Sequence, residues 1–199
     1  MNAGPVSNSS KRASFVDDEN LMVHVRDHDN AAAFGELVQR WQIRVHRMCF
    51  RMTGDWQDAE DLTQEVFAKL YRSRDRYVVQ SALGTFLWQI ALNHTRDFVR
   101  KSGRTRQQQL QLRDEYRQRD GQKRDNHEPD DADEVQKALL QLPDHYREVV
   151  VLRHFENLKF RQIADLLQIP EGTVASRMAK ALRLLEQTLR PQITCEDTQ

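Results

Sequence analysis

Apolar residues recur at helical spacing in two separate stretches of the chain, residues 17–101 and 133–191. In each stretch they fall three or four positions apart, which places them on one face of a helix. The valine-rich segment "REVVVLRHF" (147–155) could pass for a strand, but the neighbouring sequence offers it no partner strand. The pattern therefore predicts an all-α protein that consists of two small helical domains.

The helical pattern is interrupted at residues 102–132, which contain almost no apolar residues and carry their charges in blocks. Residues 100–124 contain nine basic and three acidic residues, whereas residues 125–134 contain six acidic residues and no lysine or arginine. This composition predicts a flexible linker between the domains, transiently helical in its middle. The polar ends of the chain, 1–16 and 192–199, are predicted to be a disordered N-terminal segment and a tail.

The overall composition excludes several classes of protein. The net charge of the 199 residues is zero, but the charge blocks show that this zero is an average that can hide a basic, nucleic-acid-binding face. Mean hydropathy is −0.78, and no apolar run approaches the roughly 20 residues of a membrane span. The N-terminus lacks the apolar core of a signal peptide, so we expect a cytoplasmic protein without membrane insertion.

Few residues suggest enzymatic or metal chemistry. Cys49 and Cys195 lack metal-ligand spacing, and Cys49 is expected to be a buried apolar residue. His24 and His28 lie one helical turn apart but lack a third ligand, so no metal site is predicted. The chain has no Gly-rich phosphate loop, and we expect neither catalytic residues nor a cofactor.

The first strongly amphipathic helix has an apolar stripe and an arginine ridge on different faces. The stripe, predicted to be core, comprises Phe34, Leu37, Val38, Trp41, Val45, Met48, Cys49 and Met52. The arginine ridge comprises Arg40, Arg44, Arg47 and Arg51. The ridge fits either a solvated face or a binding surface, and the sequence leaves both open.

The second helix lies in "TGDWQDAEDLTQEVFAKLY" (53–71), where Gly54 is expected to end the preceding helix and Asp55 to cap the new one. The residues predicted to point inward are Ala59, Leu62, Val66 and Leu70. Asp58, Asp61 and Glu65 share an outward face, and their neighbours along the sequence give them no cationic partner. Because like charges at this spacing repel, the face is either solvated or a binding site for a cationic partner.

The third helix lies in "ALGTFLWQIALNHTRDFVRK" (82–101). Its predicted core residues are Phe86, Leu87, Ile90, Ala91 and Phe98. The opposite face carries Gln89, Asn93, Arg96 and Arg100, and Trp88 lies off the main stripe near Leu92 and Val99. Such a face suits a single nucleic-acid strand, because arginines bind phosphates, amides contact base edges and aromatic rings stack on bases. For Trp88, simple packing remains the alternative.

The fourth region, "FRQIADLLQIPEGTVASRM" (160–178), has the pattern of a helix-turn-helix unit. Ala164 and Val174 have the separation of its buried pair, and Gln168 stands where glycine or asparagine would more easily adopt a left-handed conformation. The second helix is expected to dock through Val174, Met178, Ala181, Leu182 and Leu185. Its polar row, which would face the major groove of DNA, comprises Thr173, Ser176, Arg177, Lys180 and Arg183.

Two of these regions together resemble one family. "DAEDLTQEVFAKLY" followed by "TFLWQIALNHTRDFVRK" resembles domain 2 of bacterial sigma factors of the extracytoplasmic-function (ECF) type, in the sigma-70 family. "LPDHYREVVVLRHFENLKFRQIADLLQIPEGTVASRMAKALRLLEQTL" looks like their domain 4. The resemblance implies a protein that binds core RNA polymerase, directs it to promoters and helps melt the −10 region. Its implied partners are core polymerase, promoter DNA and, in addition, an anti-sigma factor.

The resemblance also implies roles for individual residues. The family surface that binds the β′ coiled coil of polymerase corresponds to Asp58, Asp61, Gln64 and Glu65. The β subunit of polymerase is a further implied contact. The surface for the −10 element includes the loop 76–84 and Phe86, Trp88, Gln89, Asn93, Arg96 and Arg100. The surface for the −35 element corresponds to Arg161, Thr173, Ser176, Arg177 and Lys180.

This chain departs from the family pattern at two places. The family usually has Trp-Leu-Tyr where this chain has Phe86-Leu87-Trp88, and often Lys or Arg where it has Ala175. The alternative function is an ordinary helix-turn-helix regulator whose N-terminal domain senses a ligand or dimerises. That alternative explains residues 133–191 but not the acidic helix followed by the polar-aromatic one, and co-purification with polymerase would distinguish the two.

Overall fold

A computed structural model describes residues 17–78, 82–117 and 131–189, with side chains for all of these except 102–117 and 131–133. Within these ranges the chain forms helices joined by turns, with no strand. The prediction of an all-α protein is confirmed. The segment 147–155, which could pass for a strand, is helical: α6 passes directly into a π-helical turn there.

The junction between the second and third helices of the N-terminal domain lies where the sequence predicts it, at Gly54 and Asp55. The helices of this domain are α1 (Asp18–His28), α2 (Ala31–Thr53), α3 (Trp56–Arg72) and α4 (Leu83–Arg117), with a 3₁₀ turn at Arg74–Arg76. The Asn30 side chain accepts hydrogen bonds from two amides in the first turn of α2, at 3.0 and 3.1 Å. Gly54 ends α2 in the left-handed conformation, and Asp55 caps α3 by accepting from the Asp58 amide at 3.0 Å.

The core of this domain confirms the stripe predicted for α3 and corrects that of α4. Ala59, Leu62, Val66 and Leu70 are all buried. On α4, Leu87 and Ala91 are buried as expected, but Phe86, Ile90 and Phe98 are only partly covered. Trp88 and Leu92 take their place in the core. The stripe is rotated because α4 packs against both α2 and α3, which a single helical wheel does not reveal.

Helix α4 continues beyond the predicted end of the N-terminal domain, to Arg117. The first part of the predicted linker 102–132 is therefore helical in its backbone, which fits its content of arginine, glutamine and leucine. The rest of the predicted linker, residues 118–130, lies outside the described ranges. The same holds for the predicted disordered segment 1–16 and the tail 192–199.

The C-terminal domain contains the predicted helix-turn-helix. Its helices are α5 (Asp131–Gln141), α6 (Asp144–Val150) with the π-helical turn Val151–Phe155, α7 (Phe160–Leu167) and α8 (Glu171–Leu189). Ala164 and Val174 are both buried where α7 and α8 meet. Gln168 ends α7 in the left-handed conformation, with φ of 56°. The position that favours glycine or asparagine is thus occupied by a strained glutamine.

Replacing Gln168 by glycine is expected to raise the free energy of unfolding by about 0.5–1 kcal/mol, because glycine adopts positive φ without the steric cost. Urea denaturation monitored by circular dichroism measures the change. Gln187→Gly is the matched control, since Gln187 is an exposed residue in the right-handed backbone of α8; this change should instead lower stability by about 0.5–1 kcal/mol. Destabilisation of the same size at both positions would contradict the assignment of strain to Gln168.

The two domains pack directly against each other. The buried Arg147 guanidinium donates hydrogen bonds to the carbonyls of Leu139, Leu140 and Leu142 at the end of α5, and to that of Met52 in α2, at 2.8–2.9 Å. A Cβ at Gly54 would lie 2.3 Å from Cδ1 of Leu140, so any larger residue there would force that side chain to shift in addition to adopting the left-handed backbone angle. The end of α2 therefore lies firmly against α5.

Candidate polymerase and nucleic-acid surfaces

The predicted polymerase-binding residues lie together on one face of α3. Asp61, Gln64 and Glu65 are exposed, and Asp58 is partly exposed in the first turn. Glu65 has a neighbour that the sequence did not reveal, because its carboxylate lies 3.6 Å from Nδ1 of His94 on α4. The charge of this surface comes mainly from its carboxylates.

An exposed apolar patch next to the acidic face was not predicted. Ile43 and Trp56 are 58% and 65% exposed, and the Trp56 ring packs on His46 at 4.3 Å between centroids. Both line an open cavity of about 660 Å³ that reaches Glu60 and Gln64. Large exposed apolar side chains rimmed by polar groups are typical of protein-binding surfaces. An isoleucine and a tryptophan outside the apolar stripes were the signal available in the sequence.

A second cavity, of about 350 Å³, lies between the end of α3 and the start of α4. Its lining includes three of the residues predicted to contact the −10 element, Phe86, Gln89 and Asn93, and two cationic residues, Lys69 and Arg76. The Phe86 ring is held against Tyr77, with centroids 5.7 Å apart. The cavity thus combines amides that can contact base edges, an aromatic ring and cations that can bind phosphate.

The remaining residues predicted for the −10 surface lie elsewhere. Trp88 is only 1% exposed; its ring packs edge-to-face on Trp41 at 5.7 Å, and the Arg44 guanidinium lies 5.3 Å from its centroid. This position corrects the expectation that Trp88 contacts DNA, because a ring in the core cannot stack on a base. Arg100 is exposed and forms an ion pair with Asp97 at 3.0 Å. The Arg96 guanidinium forms an ion pair with the buried carboxylate of Glu148 in the C-terminal domain, at 2.5 Å.

The residues predicted for the −35 element share one face of the helix-turn-helix. Arg161, Ser176 and Lys180 are exposed, and Thr173 and Arg177 are partly exposed. The Ser176 hydroxyl donates to the Thr173 carbonyl at 3.0 Å, which leaves its oxygen as an acceptor. The docking face of α8 is formed by Val174, Met178 and Ala181, which are buried, and by the half-buried Leu185.

The expectation that Leu182 docks α8 on the core is wrong, because its side chain lies at the edge of the apolar stripe and is exposed. Among the described residues, no group of three or more histidine, cysteine, aspartate and glutamate side chains could hold a metal ion. Cys49 is buried as expected, and burial raises the pKa of its thiol to about 11, so it is not a nucleophile at neutral pH. None of the described helices combines the length and the hydropathy of a membrane span.

An acidic face beside an exposed apolar patch, a polar cavity with an aromatic ring and a helix-turn-helix are the features expected of a class of protein that binds both a protein partner and DNA. Sequence comparison is consistent with this class. Residues 37–105 match the family model for Sigma-70 region 2, and residues 132–185 match that for Sigma-70 region 4. The chain is 31% identical over 171 residues to the ECF RNA polymerase sigma factor SigW of Bacillus subtilis, covering 79% of this chain and 89% of SigW.

A second relative is the RNA polymerase sigma-H factor of Pseudomonas aeruginosa, 32% identical over 183 residues, or 87% of this chain and 94% of that protein. The chain belongs to the ECF sigma factors of the sigma-70 family. Two solved structures share its fold at 22% identity. They are CnrH bound to the cytosolic domain of CnrY (TM-score 0.65, 86% of this chain and 96% of that one) and Bartonella quintana RpoE bound to the anti-sigma factor NepR (0.63, 80% and 98%).

Proposed function

We propose that this protein docks on core RNA polymerase through α3, captures the non-template strand of the −10 element beside α4 and contacts the −35 element with α8. The observation that carries the proposal is the cavity lined by Phe86, Gln89 and Asn93, which lies on the same pair of helices as the acidic face. The contact between Glu65 and His94 joins the two surfaces. Docking on polymerase and strand capture would then occur on one rigid helix pair.

The acidic face and its apolar neighbour fit a basic, amphipathic partner helix. Asp61 and Glu65 would pair with its cations at the rim, while Ile43 and Trp56 would cover its apolar residues in the centre. The β′ coiled coil of core polymerase is the partner that we propose, with the β subunit as a further contact. We propose that this protein acts in the cytoplasm, where core polymerase and the promoter are found.

The cavity between α3 and α4 is proposed to hold an unstacked base of the melted −10 element. Lys69 and Arg76 would bind the flanking phosphates, and the amides of Gln89 and Asn93 would contact the base edge. The Phe86 ring, already supported by Tyr77, would provide a stacking surface. The exposed Arg100 would add a phosphate contact farther along α4.

Replacing Gln89 and Asn93 together by alanine is expected to weaken binding of the holoenzyme to a pre-melted −10 oligonucleotide by roughly tenfold or more, since each lost base contact costs about 1–3 kcal/mol. Fluorescence anisotropy with a labelled oligonucleotide measures the change. Gln39→Ala, at an exposed position of α2 remote from the cavity lining, is the matched control and should bind normally. Wild-type affinity in the double variant would exclude the cavity as the base site.

An anti-sigma factor is proposed as a regulator of this protein. The support is that two solved structures with the same fold are complexes, one with the cytosolic domain of CnrY and the other with the anti-sigma factor NepR.

Gel filtration with purified core polymerase tests the central part of the proposal. We expect the protein to co-elute with core polymerase as a stoichiometric complex, and separate elution at micromolar concentrations would count against it.

A further inference from the structure

Helix α1 holds the backbone on both sides of positions 79–81, which lie outside the described ranges. On one side, the Arg26 guanidinium donates from Nη1 to the Tyr77 carbonyl oxygen at 2.9 Å. On the other side, the Leu83 amide at the start of α4 donates to the Glu19 carboxylate at 3.1 Å. Glu19 and Arg26 lie about two helical turns apart, which places them on the same side of α1. One helix therefore fixes both ends of the connection from the 3₁₀ turn to α4.

The Glu19 carboxylate caps α4 from another helix. The amide of the first residue of a helix has no acceptor within that helix, and Leu83 is this residue in α4. The next amides, those of Thr85 and Phe86, donate to the Ala82 carbonyl at 3.0 and 3.3 Å. A carboxylate at this position is also favoured by the positive end of the helix dipole. Because Leu83 is buried, its amide depends on Glu19 for an acceptor, and Glu19 fixes where α4 begins.

The Arg26 guanidinium is oriented by its neighbour in the sequence. Its Nε and Nη2 atoms donate to the two carboxylate oxygens of Asp27 at 2.7 and 3.1 Å, which directs Nη1 at the Tyr77 carbonyl. Helix α1 is itself anchored in the core by the buried residues Leu21, Met22 and Val25. The contact with Tyr77 therefore comes from an arginine with a fixed plane on a helix with a fixed position.

A third side chain of α1 supports the start of α4 through α2. Asp18 accepts a hydrogen bond from Nε1 of Trp41 at 2.9 Å and another from Arg40 at 2.6 Å. The Trp41 ring lies close against the first turn of α4, where a Cβ at Gly84 would be only 3.0 Å from it. The first turn of α4 is thus held by α1 directly and by α1 through Trp41.

These contacts act on the aromatic ring that lines the cavity between α3 and α4. Tyr77 is only 2% exposed, and its ring supports that of Phe86. Burial raises the pKa of the Tyr77 phenol to about 12, and the nearby Glu19 carboxylate adds to this shift, so the phenol is protonated at neutral pH. Phe86 lies in the first turn of α4, so the direction of its ring depends on where α4 begins. Arg26 thus acts on Phe86 through Tyr77, and Glu19 acts on it through Leu83.

We propose that Glu19 and Arg26 are positioning residues for the −10 strand, because they hold the Phe86 ring in the orientation that stacks on a captured base. This inference rests on the proposed function, which makes the cavity beside Phe86 the base site. The described lining of the cavity includes neither residue of α1, so both act through other residues. A ring that is fixed beforehand needs no ordering when the base binds, whereas a ring with several orientations loses affinity in proportion to the competent fraction.

The test measures binding of the holoenzyme to a pre-melted −10 oligonucleotide by fluorescence anisotropy. Glu19→Ala removes the cap of α4, whereas Glu19→Gln keeps an amide oxygen that can accept from Leu83. Arg26→Met keeps the apolar part of the side chain and removes its hydrogen-bond donors. Asn20→Ala, at an exposed position of α1, is the matched control. Affinity for core polymerase is measured in parallel for each variant.

We expect Glu19→Ala and Arg26→Met each to weaken binding of the oligonucleotide about fivefold, the change that corresponds to loss of one helix cap or one hydrogen bond. Glu19→Gln and Asn20→Ala should bind nearly as the wild type does, and all four variants should keep their affinity for core polymerase. Wild-type binding in Glu19→Ala or in Arg26→Met, or equal losses in Glu19→Ala and Glu19→Gln, would overturn the proposal. If Glu19→Ala fails to fold, Arg26→Met carries the test.

A double-mutant cycle with Phe86→Ala separates positioning from a general effect on the fold. If Glu19 and Arg26 act through the Phe86 ring, Glu19→Ala and Arg26→Met should cause little further loss once that ring is absent. Losses of the same size in the wild-type and Phe86→Ala backgrounds would show that the two residues do not act through Phe86, and the proposal would be wrong.

Hydrogen exchange of the free, full-length protein separates this outcome from that of the proposed function. The Leu83 amide should exchange faster in Glu19→Ala than in the wild type, because Glu19 is its acceptor, whereas exchange within α3 should not change. An unchanged rate at Leu83 would contradict the role of Glu19 without any reference to DNA. Failure of the wild-type holoenzyme to bind the oligonucleotide would instead contradict the proposed base site.

Discussion

Replacing Asp61 and Glu65 together by lysine is expected to weaken binding of the protein to core RNA polymerase by about 100-fold. Both side chains are exposed on α3, opposite the buried residues Leu62 and Val66, so the reversal should leave the fold intact. Bringing like charges together at an interface costs several kcal/mol, and about 1.4 kcal/mol corresponds to a factor of ten in affinity. Biolayer interferometry with immobilised core polymerase measures the loss, and circular dichroism checks the fold.

The matched control for this prediction is the double change of Glu134 and Asp165 to lysine, which alters the net charge equally at exposed positions of the C-terminal domain. This control should keep most of the affinity for core polymerase. The loss in the Asp61 and Glu65 variant should also shrink as salt is increased, because exposed charges are screened over about 10 Å at 0.1 M ionic strength. Wild-type affinity in that variant would mean that α3 is not the docking helix.

Replacing Lys180 by glutamine is expected to reduce transcription from promoters that depend on the −35 element by about tenfold, and to leave binding to a pre-melted −10 oligonucleotide unchanged. Lys180 is exposed on the face of α8 that carries Ser176 and Arg177, while Val174 and Met178 hold the opposite face in the core. A contact to a base edge is worth about 1–3 kcal/mol of discrimination, whereas a phosphate contact weakens all sequences alike. Whether Lys180 contacts a base edge or a phosphate, its replacement should reduce transcription from promoters that depend on the −35 element and should spare binding to the −10 oligonucleotide.

Lys137→Gln, at an exposed lysine of α5, is the control for this change and should support normal transcription. Run-off assays on templates with and without the −35 element separate the two effects. Because Ala175 cannot form side-chain hydrogen bonds, we expect the residues one turn farther along α8 to carry more of the contact with DNA. Equal losses on both templates would show that Lys180→Gln damages the fold or polymerase docking, and the role of α8 would be wrong.

Features set by local chemistry were predictable from the sequence. Gly54 and Asp55 mark the junction of α2 and α3 because a left-handed backbone favours glycine and a free helix amide favours aspartate. The unusual conformation of Gln168 was predictable for the same reason, since the turn between α7 and α8 requires it. All four residues predicted to point inward on α3 are buried, because one side of that helix is covered and the other is exposed; Phe67, also buried, was not predicted.

Features that depend on which helices pack against each other could not be predicted from the sequence. Phe86 and Trp88 are both aromatic residues at the start of α4, and the spacing alone could not tell that Trp88 packs on Trp41 while Phe86 lines a cavity. The exposed Ile43 and Trp56 form a patch only because α2 and α3 pack side by side. Periodicity identifies a face, but the neighbouring helix decides whether that face is core, cavity or surface.

Contacts between the domains could not be predicted from the sequence either. Arg44 and Glu156 are 112 residues apart, and Arg147 and Met52 are 95 residues apart, so no local pattern connects them. On a helical wheel, Arg44 looks like an ordinary solvated arginine, and Glu148 like part of a polar helix edge. Only the packing of α2 and α4 against α5 and α6 shows that these charges pair and that Arg96 is engaged by Glu148.

Run-off transcription with purified core RNA polymerase tests the central claim most directly. Templates would come from genomic fragments selected by the holoenzyme, and start sites would be mapped on each. Core polymerase alone is expected to give no defined start, and addition of the protein should give discrete starts preceded by common −35 and −10 sequences. Discrete starts that do not depend on the protein, or none in its presence although it binds core polymerase, would contradict its role as a sigma factor.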